Sequence, residues 1–196
     1  GTEEVEGEVG ITADLVTYKI WRELCKTIVV DSNHDNAFMR WLREADYRDD
    51  HVNAVYFLYC QHKVYSEIKA KNKWFHLVEW ALREKGVPMD VKFLRQDEPF
   101  VLCPDAGGGI ECGMHGDLGL NGARGPPHSL KKVGRKANTG HTHSAGSYDG
   151  LWVAGLTALM DQGYNVGPGS WSHSNVITHK NGKRQMITIW KGKWRA

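Results

Sequence analysis

Three short stretches carry side chains suited to holding metal ions, and they come in a fixed order. They are Ser32-Asn33-His34-Asp35, His115-Gly116-Asp117 and Gly140-His141-Thr142-His143. The last is the most telling. Two imidazoles two residues apart at a strand end or tight turn can serve one ion or two neighbouring ions. Imidazole is a common ligand for Zn, Mn, Fe and Ni. Asn33 would add a neutral amide oxygen, an unusual enough ligand to give the Asn-His pair some specificity. Each stretch alone has a plainer reading. Asn33-His34-Asp35 suits a helix N-cap and turn, His115 suits a satisfied core or surface histidine, and residues 140–143 suit a loop. Their joint occurrence, in order and after an apolar run, favours metal chemistry.

The ordered set resembles the second half of the calcineurin-like metallophosphoesterase family. That family's pattern runs Asp-x-His, Gly-Asp-x-x-Asp, Gly-Asn-His-Asp/Glu, a lone His, then Gly-His-x-His. The last three are matched between about residues 28 and 160, with Ser32 where the family has Gly. The resemblance implies that Asn33, His115 and His141 are ligands of one ion and His143 a ligand of another. It implies that His34 stabilises the phosphate and protonates the leaving group, with Asp35 orienting His34. It further implies two divalent ions, Mn first with Fe, Zn and Ni as alternatives, and hydrolysis by a metal-activated hydroxide attacking phosphorus. Asp117 and Asp149 are candidates to accept the second N–H of these imidazoles, although Asp117 also suits a plain turn beside Gly116 and Gly119.

The family's first two motifs, which supply the bridging carboxylate, do not occur upstream of Ser32. The literal Asp49-Asp50-His51 falls after the Asn-His-Asp stretch, in a charged segment, and is not read as a displaced ligand set. The expectation is therefore the C-terminal portion of a longer polypeptide, or one piece of a split domain. Such a chain would need the missing N-terminal half or another chain to complete its site, and alone would show little activity.

Charge points to the partner. Residues 1–100 hold 14 Lys/Arg against 18 Asp/Glu, whereas residues 101–196 hold 11 against 5. The basic half also carries the lone His and the Gly-His-x-His stretch, so a polyanion would be drawn there; a solvated basic face is the plainer alternative. Arg124, Lys131, Lys132, Arg135 and Lys136 are the candidate substrate contacts. Residues 116–127 carry several glycines that let backbone N–H groups approach an anion, and Arg124 could fork onto a phosphate. The segment Asn121-Gly122-Ala123-Arg124-Gly125, with residues 163–171, looks like phage-encoded family members. Those include proteins linked to DNA injection and host-DNA degradation. The resemblance thus implies a DNase acting in the cytoplasm, that of the host if the chain is phage-encoded. A phosphomonoesterase or nucleotidase is the alternative enzyme, and a non-catalytic assembly or nucleic-acid-binding module the alternative from another class. His51, His62, His76, His128 and His179 receive no role, and His173 is left open near a Gly-Pro turn.

The elements that must hold these residues follow from periodicity. The chain has 196 residues, 41% hydrophobic and 24% charged, within the range of one ordinary globular domain. No stretch reaches the roughly 20 apolar residues of a membrane helix. Cys25, Cys60, Cys103 and Cys112 form no Cys-x-x-Cys and read as reduced thiols. Residues 1–12, rich in Glu and Gly, read as a flexible acidic lead, and 13–26 as an amphipathic helix. Residues 27–30 form a buried strand that delivers the Asn-His-Asp stretch at its C-terminal end. Residues 36–86 are largely helical, breaking near Lys71-Asn72-Lys73 and stopping at Gly86 and Pro88. They pack as ordinary core or serve as a cap or homo-oligomer contact. Beyond residue 90 strands take over: a hairpin of 91–94 with 100–102, a strand at 110–114, a basic helix at 129–136, and a strand at 148–156. A last hairpin turns at Asn181-Gly182. The expected fold is α/β, part of the family's α/β/β/α sandwich with a helical insertion, residues 13–196 forming the C-terminal portion of that domain.

Overall fold

The computed structural model describes residues 4–21 (18–21 by backbone alone), 26–119, 122, 130, 134–163 and 165–194. The fold is mixed α/β, with two compact units, Gly1–Phe93 and Leu94–Ala196. All the described α-helices lie in the first unit and most strands in the second.

In the first unit, helix α1 (Val5–Trp21) begins inside the stretch expected to be flexible. Val9, Ala13 and Val16 recur at helical spacing and pack with Leu82, Val87, Val91 and Phe93. The Val5 N–H, one of the donors a helix start leaves over, is taken by the Asn53 side-chain oxygen at 2.9 Å. Burial and a supplied cap therefore outweigh the glycines that suggested a loose lead. Strand β1 (Ile28–Val29) runs parallel to β2 (Lys92–Phe93). Helix α2 (Asn33–Glu44) follows at once; α3 (Ala54–Lys69) and α4 (Leu77–Glu84) complete the unit. Leu42, Tyr56, Phe57, Cys60 and Leu77 form their shared core. The break near Lys71 is observed where α3 ends, with Lys71 in the left-handed region. Asp50 accepts from the Asn53 side chain at 3.0 Å, so the Asp49-Asp50-His51 stretch builds the turn before α3.

The parallel pairing of β2 with β1 overturns the hairpin expected between 91–94 and 100–102. Backbone direction decides it: strand β3 (Val101–Leu102) turns instead through Pro104 to Gly109 and pairs with β4 (Ile110–Glu111). In the second unit these join β5 (Lys136–Thr139), β6 (Gly146–Tyr148) and β7 (Leu151–Val153) in a five-stranded sheet, ordered β3-β4-β5-β7-β6. β4, β5 and β7 are mutually parallel. The strand expected over 148–156 is cut by Asp149-Gly150, both at positive φ, which make a two-residue hairpin turn between β6 and β7. The basic helix expected at 129–136 lies largely outside the described residues; its last residue, Lys136, opens β5.

A second, antiparallel sheet holds β8 (His173–Thr178), β9 (Arg184–Trp190) and β10 (Lys193–Trp194), with the Asn181-Gly182 turn between β8 and β9. The two sheets are stitched together. Arg184 donates to the Ala137 carbonyl at 2.8 Å and to Asn138 Oδ1 at 3.1 Å, and lies over the Trp152 ring. Asn138 donates to Thr178 Oγ1 at 3.0 Å. The Gly155 N–H donates to the Ser174 carbonyl at 2.9 Å. A side chain at Gly155 would run into the Ser172 carbonyl, so glycine is required by close backbone approach.

Candidate metal centre

Parallel pairing of β4 and β5 sends both chains out of the sheet in the same direction. His115 leaves β4 four residues after its end, and His141 leaves β5 two residues after its end. The Gly140 N–H donates to the His115 carbonyl at 2.8 Å and locks the two exits side by side. Gly116, at φ 110°, makes this possible: a Cβ there would sit 3.1 Å from Thr139 Cβ and 3.3 Å from the Gly140 oxygen. The imidazoles of His115 and His141 consequently stand edge to face with centroids 5.1 Å apart, both half-buried. This end of the sheet is the position at which open α/β sheets carry their sites.

The backbone beyond β5 is strained. His141 has φ 71° and His143 φ 59°, both in the left-handed region that L side chains with a Cβ seldom adopt. The Thr142 N–H closes back on the Gly140 carbonyl at 2.9 Å. Residues 170–172 brace the loop from the other side. The Ser172 N–H donates to the His143 carbonyl at 3.1 Å, Ser144 and Ser170 share a hydroxyl bond of 2.7 Å, and Trp171 packs edge-on against the His143 ring at 4.5 Å. Sequence reasoning left Trp171 without a part. The signal that could have found it was the glycine-bounded Ser-Trp-Ser run, which packs only if it meets another segment.

Two expected accessories sit elsewhere. Asp149 occupies the β6–β7 turn, next to the start of β5, whereas His141 follows its end. It is therefore not a partner for that imidazole. Lys136 likewise begins β5, five residues and about 15 Å of strand from His141. Arg135 and Lys136 are exposed; Arg124, Lys131 and Lys132 lie outside the described residues. Cys112 accepts from the Asn138 amide at 3.5 Å and Cys103 donates to the His179 carbonyl at 3.3 Å, so both thiols serve the sheet packing. Burial raises the Cys112 thiol above its ordinary range.

The Asn-His-Asp stretch belongs to the first unit, where it starts α2. Ser32 is the N-cap; its N–H donates to Asp35 Oδ2 at 3.1 Å and its hydroxyl to Asp35 Oδ1 at 3.3 Å. This is the carboxylate half of a capping box. Asn33 is half-buried and His34 exposed. Asp35 is thus spent on Ser32 rather than on orienting His34. Burial, and then the Asp31 carboxylate beside it, push Asp35 up to about 7.

Asp31, Asp35 and His76 also form the one group of three metal-type donors found close together among the described residues. His76 received no role from sequence. It is the N-cap of α4, and its Nδ1 accepts the Glu79 N–H at 3.3 Å. The proton of a neutral ring then resides on Nε2, which faces Asp31 Oδ1 at 3.5 Å. With Nδ1 capping α4 and Nε2 facing Asp31, His76 ties the start of α4 to the Asp31–Asp35 pair. His115 and His141 are two half-buried imidazoles at adjoining strand exits, set side by side by the Gly140–His115 backbone bond.

The chain is 43% identical over 178 residues to Protein A1 of Escherichia phage T5, a match that takes in 89% of this chain and 31% of that protein. It therefore spans about a third of the length of the curated relative it matches, and the similarity is to a phage protein. No family model matches the chain, and no solved structure matches it. No helix among the described residues is long and apolar enough to cross a membrane.

Proposed function

We propose that this chain carries part of the site of a divalent-metal phosphodiesterase, with DNA as its substrate. The observation that carries the reading is the apposition of His115 and His141 at adjoining exits of two parallel strands, held by the Gly140–His115 backbone bond. His115 and His141 would hold one ion, and His143 would be a ligand of a second. Mn is the first choice, with Fe, Zn and Ni as alternatives. A divalent ion, when bound, supplies Lewis acidity and lowers the pKa of a water toward neutrality. The chain's own groups supply the rest. Arg124, Lys131, Lys132 and the exposed Arg135 and Lys136 would meet the phosphates of the DNA backbone.

The left-handed backbone at His141 and His143 supports the reading. Such conformations cost roughly 1–3 kcal/mol each and collect at functional sites. The bridging carboxylate is absent from the motifs present, so the chain alone should bind at most one Mn well and cleave DNA poorly. Calorimetric titration with Mn tests this, with His115→Ala and His141→Ala each expected to remove the heat. Two tight sites per chain would refute the reading of an incomplete site. Hydrolysis of mononucleotides in preference to DNA by the completed enzyme would favour the nucleotidase.

A further inference from the structure

The first unit has a hollow beside an open strand edge. A cavity of about 500 Å³ is walled by Val5 and Val9 of α1, Val29 and Val30, and Phe38 and Trp41 of α2. Glu8, Ser32 and Asp35 add polar atoms to the same wall. β1 pairs with β2 alone, so among the described residues its other edge meets no strand. The register and the Lys92 N–H bond to the Thr27 carbonyl set the direction of each peptide group. In a parallel pair successive residues face opposite sides, so Ile28 and Val30 turn their N–H and C=O outward. A sheet of two two-residue strands is too small to be stable by itself, yet Ile28, Val29 and Val30 are strong strand formers.

We propose that this edge and hollow receive an extended β-strand from a longer polypeptide of the Protein A1 type. The row of outward backbone groups asks for another backbone, and a compact ligand could not satisfy it. The valine and aromatic walls ask for alternate apolar side chains. The relative is about three times as long as its matched part, so it has further chain that could supply such a strand. The inference stands on the first unit alone and does not depend on the metal reading.

The test uses this chain with the unmatched remainder of phage T5 Protein A1, expressed separately and mixed. The expected result is a one-to-one complex by size-exclusion chromatography, with exchange of the Ile28 and Val30 amides slowed at least about tenfold. Val30→Pro, which removes an outward donor without touching the β1–β2 bonds, should abolish the complex while Val30→Ala preserves it; the far-ultraviolet helical signal checks that both variants fold. Absence of a complex would overturn the proposal. So would a complex that leaves both amides exchanging freely, one indifferent to Val30→Pro, or protection of the edge by self-association of this chain.

Discussion

Replacing Asp35 by Asn should make the first unit more stable at pH 8 and not at pH 5. The folded carboxyl is pushed up to about 7 from 3.8, by burial first and Asp31 second. Between these values the folded chain holds a proton that the unfolded chain has released. Stability must therefore fall as pH rises from about 4 to 7, then level off. A shift of about three units at 1.36 kcal/mol each sets a ceiling near 4 kcal/mol. Asp31 shares the strain and water relaxes it, so about 2 kcal/mol is the working figure. Asn keeps the shape and an acceptor for one of the two Ser32 donors; the lost bond costs about 1 kcal/mol. The net expectation is that D35N is about 1 kcal/mol more stable than the parent at pH 8 and about equal to it at pH 5, where roughly 1 kcal/mol of the pH-linked cost is already present and offsets the lost bond. All described helices lie in the first unit, so urea unfolding followed at 222 nm reports on it. A deficit in D35N of equal size at both pH values would refute the reasoning. It would mean that the Ser32 N–H and hydroxyl already stabilise a charged Asp35.

Three other outcomes are expected. Gly155→Ala should cost the second unit about 3 kcal/mol by forcing the backbone off Ser172, whereas Gly163→Ala, which meets open space at φ 76°, should cost about 1 kcal/mol; fluorescence-monitored urea unfolding compares them. Arg184→Met should destabilise the same unit by about 3 kcal/mol, since it strands the Ala137 carbonyl and Asn138 Oδ1 between the sheets; an unchanged midpoint would show that the contact contributes little. If Lys131 and Lys132 neutralise DNA phosphates, changing both to Ala should flatten the dependence of log affinity on log salt by about one unit per lost contact, read by fluorescence anisotropy at several salt concentrations.

What the sequence showed and what it hid differ in the range of the forces involved. Ile28–Val29, the helical block and the Asn181-Gly182 hairpin were legible because β-branching, periodicity and turn chemistry are local. The start of α1 was not, because Val5 is capped by Asn53, 48 residues away. The partner of β2 was not, because a two-residue strand carries no mark of whether it will run parallel or antiparallel. The order of the motifs suggested that Asn33, His115, His141 and His143 would converge; the rings of His115 and His141 stand together, set by the Gly140 N–H bond to the His115 carbonyl. The bracing of His143 by Trp171 and the role of His76 as a helix cap stayed hidden. Each depends on a contact that no spacing encodes. The cut at Asp149-Gly150 was in principle readable, since Asp-Gly is a two-residue hairpin signal, but the apolar run around it pointed to one continuous strand.

The left-handed backbone at His141 and His143 has a consequence for how mutations there must be read. Alanine, the usual neutral replacement, keeps the Cβ and with it the steric penalty, while discarding the imidazole. Glycine discards both. A chain bearing glycine at either position should be more robust to heat than the alanine variant, and the difference between the two replacements isolates the conformational cost of that backbone. Selection for stability alone would drift these two sites toward glycine or asparagine. Histidine at both positions, two residues apart, therefore carries a conformational cost that glycine would not.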